Sequence, residues 1–175
     1  MNMYSKAFLV VAGLALAACN NPDRFGGGPG GTGGAPLNGT GIDGSALGGP
    51  NDPTSVAYFN QTIGDRVFFA VDQSTLSPEA TATLAQQAQW LQTNSDYAVI
   101  IEGHADEQGT REYNLALGAR RASAVQNYLI SQGVSSSRLR TVSYGKERPI
   151  EVCSDEACYS RNRRAVTVLS MGAGA

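Results

Sequence analysis

The chain predicts an α/β two-layer sandwich, a mixed four-stranded sheet with helices packed on one face. Three observations predict it. Apolar residues between Pro53 and Leu169 recur first with a period of two and then with a helical period, in alternation along the chain. Ser77-Pro78 and Gly133 supply helix start and stop signals around the helical stretches. About 120 residues lie outside the N-terminal segments, enough for one hydrophobic core but not for two.

Pro53 to Thr62 reads as a short helix or turn, with Val56, Tyr58 and Phe59 apolar. Arg66-Val67-Phe68-Phe69-Ala70-Val71 reads as a buried strand. Ser77 as N-cap and Pro78 as first residue open a helix to about Thr93, with Leu84, Ala88 and Leu91 facing inward. Tyr97 to Glu102 is a strand. Its Tyr97, Val99 and Ile101 share one face while Ala98 and Ile100 share the other, and two apolar faces suit a covered, central position. A second helix runs from Thr110 or Arg111 to Gln132 and ends at Gly133. Leu139 to Tyr144 and Ala165 to Leu169 complete the strands, with a loop between them. The order is βαβαβ, a loop, then β; periodicity leaves the strand order open.

The N-terminal third is of another kind. Lys6 precedes an apolar run from Ala7 to Ala18, too short to span a bilayer, and Leu16-Ala17-Ala18-Cys19 has the form of a lipobox. Such a signal implies cleavage before Cys19 and acylation of that residue; an ordinary signal peptide with a coincidental cysteine is the alternative. Asn20, rather than Asp, follows the cysteine and points to the outer membrane. Several acyl chains make such an anchor effectively permanent. From Asn20 to Pro50, 12 of 31 residues are glycine. A stretch so poor in large apolar side chains cannot offset its ordering entropy and is expected to be a flexible tether spanning roughly 30 Å. The expected organisation is residues 1–18 signal peptide, 19–52 lipidated cysteine and tether, 53–170 folded domain, and 171–175 disordered tail.

Loss of Lys6 with the signal takes the formal charge from −2 to −3, so nothing is basic enough for nucleic acid. With Cys19 acylated, Cys153 and Cys158 remain in an oxidising compartment. A local disulfide is the favoured reading, with two free thiols or half of a zinc site as alternatives.

Charges in apolar places mark the candidate site. The second helix carries its apolar stripe through Leu117, Ala124, Val125 and Tyr128, and Arg121 falls on that stripe. An inward arginine requires an internal carboxylate, or a pocket where a ligand completes the pairing, unless it lies along the core edge with its head in water. The segment Glu102-Gly103-His104-Ala105-Asp106-Glu107-Gln108-Gly109-Thr110 leaves a strand and opens that helix, bringing Asp106 near the junction. A carboxylate and a guanidinium together complement a zwitterion, the head of an amino acid.

The stretch from Glu102 through Asp106, Asn114 and Leu117 to Arg121 and Ala122 resembles the signature of the peptidoglycan-associated lipoproteins, a branch of the OmpA-like peptidoglycan-binding family. Val142-Ser143-Tyr144-Gly145-Lys146-Glu147-Arg148-Pro149 and Tyr159-Ser160-Arg161-Asn162-Arg163-Arg164-Ala165-Val166 match the same pattern. The resemblance spans roughly Arg66 to Leu169. It implies that Asp106 and Arg121 hold the amino and carboxyl groups of diaminopimelate in the peptidoglycan stem peptide. It also implies that Asn114, Asp72 and Arg164 belong to the ligand site, with Leu117 one turn before Arg121. Implied partners are peptidoglycan, the outer membrane through the lipid anchor, and TolB with other Tol-system proteins, in support of envelope integrity and cell division. No cofactor is implied. Two residues depart from the pattern: Ala70 stands where many members have Asp or Gly, and Arg111 replaces a common Pro.

The competing reading is a cell-wall hydrolase using the His104/Asp106 loop. A single histidine supplies at most one imidazole, short of a catalytic zinc site, and no nucleophile-elbow or phosphate-loop pattern occurs. The sequence therefore favours a binding protein over an enzyme.

Overall fold

The computed structural model describes residues 49–152 and 154–171. The signal segment, Cys19, all but the last residues of the tether, Cys153 and residues 172–175 lie outside the described residues. After a turn at Gly49–Asp52, Ser55 caps the short helix α1 (Val56–Tyr58), which continues as a π-helical turn over Phe59–Gly64. There follow β1 (Arg66–Phe68), α2 (Pro78–Thr93), β2 (Tyr97–His104), α3 (Arg111–Ser131), β3 (Leu139–Gly145), α4 (Glu156–Asn162) and β4 (Arg164–Met171). The strands lie in the order β1-β4-β2-β3, with β2 parallel to β3 and both β1 and β2 antiparallel to β4. The expected mixed four-stranded sheet is present.

Helix boundaries follow the capping chemistry. Ser77 Oγ accepts from the Ala80 amide with Pro78 beginning α2, and Thr110 caps α3 through the Tyr113 amide. Gly133, with φ +97, ends α3 in a conformation that a side chain would strain. Leu84, Ala88 and Leu91 of α2 and Ala122, Val125 and Leu129 of α3 are buried against Val67, Val99 and Ile101 of the sheet. Phe59, Trp90 and Tyr97 form a ring cluster at one end, and the Trp90 indole donates to the Pro53 carbonyl at 2.7 Å, tying the N-terminal turn to α2.

Three expectations need correction. The first strand stops at Phe68 rather than Val71 and forms an edge, with Arg66 and Phe68 exposed. Beyond it, Ala70–Gln73 closes as a turn in which the Gln73 amide donates to Ala70 O at 3.2 Å, leaving Val71 exposed. Second, β2 is central but not covered on both sides. Ile100 and its neighbour Val168 are exposed on the face away from the helices, because hydrogen bonding to β3 and β4, not a second helical layer, makes the strand central. Third, the segment read as loop between β3 and β4 contains α4, started by the Asp155 side chain accepting from the Cys158 amide. Its single turns of apolar spacing are too short to reveal a period.

The closest layer contact sets the site. A Cβ on Gly103 of β2 would lie 1.8 Å from the Gly118 carbonyl oxygen of α3, so helix and strand backbones touch there. That contact holds the N-terminal half of α3 hard against the end of β2, where Asp106 emerges.

Candidate functional site

Three segments converge on a cleft of about 330 Å³: the Ala70–Gln73 turn, the loop between β2 and α3, and the first turns of α3. Its lining includes Asp72, Asp106, Gln108, Tyr113, Asn114 and Leu117. Four of the six residues expected at a ligand site therefore come together. A second cleft of about 350 Å³, near Pro53, Tyr58 and Trp90, carries no charged side chain and offers nothing to grip an ion.

Asp106 is held from two sides. Its Oδ1 accepts from the Gln108 amide at 3.3 Å, a local turn within the loop, and its Oδ2 accepts from Arg163 Nη1 at 3.1 Å. The Asn114 amide group donates to Gln108 O at 2.6 Å, and Lys146 Nζ donates to Gly109 O at 2.7 Å, so the loop's carbonyls are tied to α3 and to the end of β3. Gly109, φ +88, permits the final bend into the helix. Leu117, 4% exposed, supplies an apolar floor.

Asp72 sits at the rim with φ +58, the left-handed conformation needed at the third position of the Ala70–Gln73 turn and tolerated by Asp better than by most residues. The Tyr113 hydroxyl donates to its carboxylate. A rim carboxylate in a sparsely populated backbone conformation is a common mark of a binding edge.

Arg121 has no exposed surface. Its Nε donates to Gln73 O at 2.8 Å, Nη1 to His104 O at 2.8 Å and Nη2 to Ala70 O at 3.2 Å, and its guanidinium lies 5.2 Å from the Phe69 ring centre. Three main-chain carbonyls, rather than an internal carboxylate or an open pocket, thus accommodate the inward arginine. It lies beneath the cleft and clamps two of the segments that form it. Burial lowers its pKa to about 10, with the charge of Asp106 opposing that shift, so it stays cationic at neutral pH. Three of its five N–H groups are committed to these carbonyls.

Arg164 is not brought to the cleft. Strand alternation sends it to the face of Phe68, opposite Val67 and Ala165, where its guanidinium donates to Asn162 O at 3.3 Å and Arg148 O at 3.1 Å. Its neighbour Arg163, which sequence reasoning did not single out, reaches Asp106 instead. The signal was legible: two arginines just before a strand must point to opposite faces, and only one can face the site. Arg163 also donates to Phe69 O at 3.2 Å and pairs with Glu156 of α4.

His104 does not line the cleft. Its imidazole is buried beside Glu102, 3.5 Å from Oε2, with the Tyr144 ring centre 5.5 Å away. Burial, then the charges of Arg164 and Arg148, lowers its pKa to about 4. Among the described residues, no three His, Cys, Asp or Glu side chains cluster as a metal would require. Arg111 makes an exposed pair with Glu147 at 3.1 Å. Cys158 is buried in α4, whereas its expected partner Cys153 lies outside the described residues.

The OmpA family profile matches residues 68–163. The peptidoglycan-associated lipoprotein of Mesorhizobium japonicum is 52% identical over 165 residues, 94% of this chain and 90% of that protein. That of Pseudomonas aeruginosa is 42% identical over 159 residues, 90% of this chain and 92% of its own length. The crystal structure of the peptidoglycan-associated lipoprotein from Burkholderia pseudomallei is similar with a TM-score of 0.62 at 38% identity, covering 71% of this chain and 98% of that one. The C-terminal domain of Helicobacter pylori MotB shares the fold alone, with a TM-score of 0.58 at 22% identity, over 62% of this chain and 86% of that one.

Proposed function

The chain belongs to the OmpA family and, within it, to the peptidoglycan-associated lipoproteins, and from that premise we propose that it is a non-catalytic outer-membrane anchor that grips the diaminopimelate of peptidoglycan stem peptides. The observation that carries this reading is the cleft-lining Asp106 above the buried, cationic Arg121. Asp106 accepts from the ligand's ammonium. Arg121 offers its two remaining N–H groups to the ligand's carboxylate once the Ala70–Gln73 turn gives way, because the guanidinium has no surface of its own to meet it. Asp72 adds negative charge at the rim, Asn114 and Gln108 hold the loop, and Leu117 receives the aliphatic chain.

In this reading Cys19 is acylated and anchors the domain in the outer membrane, facing the periplasm, while the glycine-rich tether gives it reach toward the wall. Cys153 and Cys158 pair as a local disulfide. TolB and other Tol-system proteins are the expected partners, and envelope integrity and cell division the processes served. Hydrolysis gains no support from His104, whose buried ring is turned toward Glu102 and Tyr144 rather than the cleft.

Titration with a stem peptide containing diaminopimelate, followed by amide NMR shifts, tests the site and the ligand together. Shifts are expected at Asp72, Asp106–Asn114 and Leu117. Shifts confined to another surface, or none at saturating peptide, contradict the reading.

A further inference from the structure

Asp106 does not face the cleft as a lone charge. Arg163 Nη1 lies 3.1 Å from its Oδ2 and 3.4 Å from Glu156 Oε2, while Nη2 donates to Glu156 Oε1. One guanidinium is thus shared between a buried carboxylate that lines the cleft and one whose side chain is 64% exposed at the start of α4. Without Glu156, Asp106 and Asp72 would do no more than cancel Arg163 and Arg121. A ligand ammonium would then find little to attract it. With Glu156 present, two carboxylates balance two guanidiniums, and Asp72 at the rim tips the site negative.

We propose that Glu156 is a positioning residue that determines specificity for an ammonium-bearing ligand: by engaging the Arg163 guanidinium it leaves Asp106 with charge to offer the cleft. This rests on the zwitterion-binding reading above. Glu156 touches no ligand itself; it acts through Arg163. Its side chain can be changed without opening the core, because it is mostly exposed and the Asp155 cap starts α4 independently.

Calorimetric titration of the whole protein and its Glu156→Gln and Glu156→Asp variants with two probes tests this. One probe is a stem peptide with the free side-chain ammonium of diaminopimelate; the other is the same peptide with that amine acetylated. The expected result for Glu156→Gln is about a fivefold loss of affinity for the free-amine peptide, shrinking as salt is raised, with acetylated-peptide binding unchanged. Glu156→Asp is expected to restore most of the preference. Equal losses for both probes would show a merely structural role and overturn the proposal, as would unchanged discrimination in Glu156→Gln. Failure of the unaltered protein to bind either probe would instead overturn the zwitterion reading, and this proposal with it.

Discussion

Arg163 donates to Asp106 across a buried contact of 3.1 Å, with both side chains nearly sealed from water. The carboxylate expected to face Arg121 is therefore ion-paired with a different arginine, while Arg121 satisfies main-chain carbonyls of the Ala70–Gln73 turn and of β2. Asp106 is thus fixed in place before any ligand arrives, whereas in the proposed reading Arg121 is met only when the Ala70–Gln73 turn gives way.

Arg121→Ala is consequently a stability variant as well as a binding variant. It takes a donor from the His104, Gln73 and Ala70 carbonyls, of which Ala70 O keeps the Gln73 amide, and leaves a cavity, at an expected cost of about 3–5 kcal/mol. Urea unfolding measures this. A cost below about 1 kcal/mol would mean that the clamp contributes nothing to the fold.

Gly103→Ala tests the contact that fixes α3 on β2. The added methyl would meet the Gly118 carbonyl at 1.8 Å, and a backbone oxygen cannot swing aside as a side chain could. Helix and strand must separate, at an expected cost of about 3 kcal/mol or more. A melting temperature within a degree or two of the parent's would contradict the packing described here.

Much of this was legible in the sequence, for identifiable reasons. Capped helices such as Ser77-Pro78 to Thr93 advertise both start and period, and the misplaced charge of Arg121 marks its face. What could not be read is what depends on partners distant in the chain. Val71 looks like strand until Arg121, about 50 residues later, takes the Ala70 carbonyl into a turn. Ile100 looks covered because its apolarity does not say whether a helix or only solvent lies above it. That Arg163 and Arg164 face opposite ways follows from strand alternation, but which of them faces the cleft is set by the pairing of β1 with β4.

His104 gives a pH signature that a single residue can report, since it is the chain's only histidine. Its folded pKa of about 4 lies below the ordinary value of 6.5, so the unfolded chain binds the extra proton first as acid is added. The associated stability is fully present above pH 6.5 and is lost as pH falls through 4, amounting to about 3 kcal/mol. Imidazole NMR titration of the folded protein is expected to give a midpoint near 4. A midpoint between 6 and 7 would contradict the burial.

Arg111 occupies the first helical position after the Thr110 cap, where a missing amide proton costs nothing and a fixed φ helps. Arg111→Pro is expected to raise stability by about 0.4–1 kcal/mol, because the exposed pair with Glu147 that it forfeits contributes little. A loss of stability in thermal unfolding would mean that the loop requires that pair.

The most direct measurement is sacculus binding by Asp106→Asn. The amide preserves size, its one carbonyl oxygen can accept from either Gln108 or Arg163, and Arg163 keeps its pair with Glu156; a parental melting curve is the condition for reading the binding result. Removing the cleft's buried charge is expected to weaken binding by about 2–5 kcal/mol, enough to abolish pulldown at concentrations where the parent protein sediments fully. Pulldown of a normally folded Asp106→Asn at full strength would contradict the account at its centre.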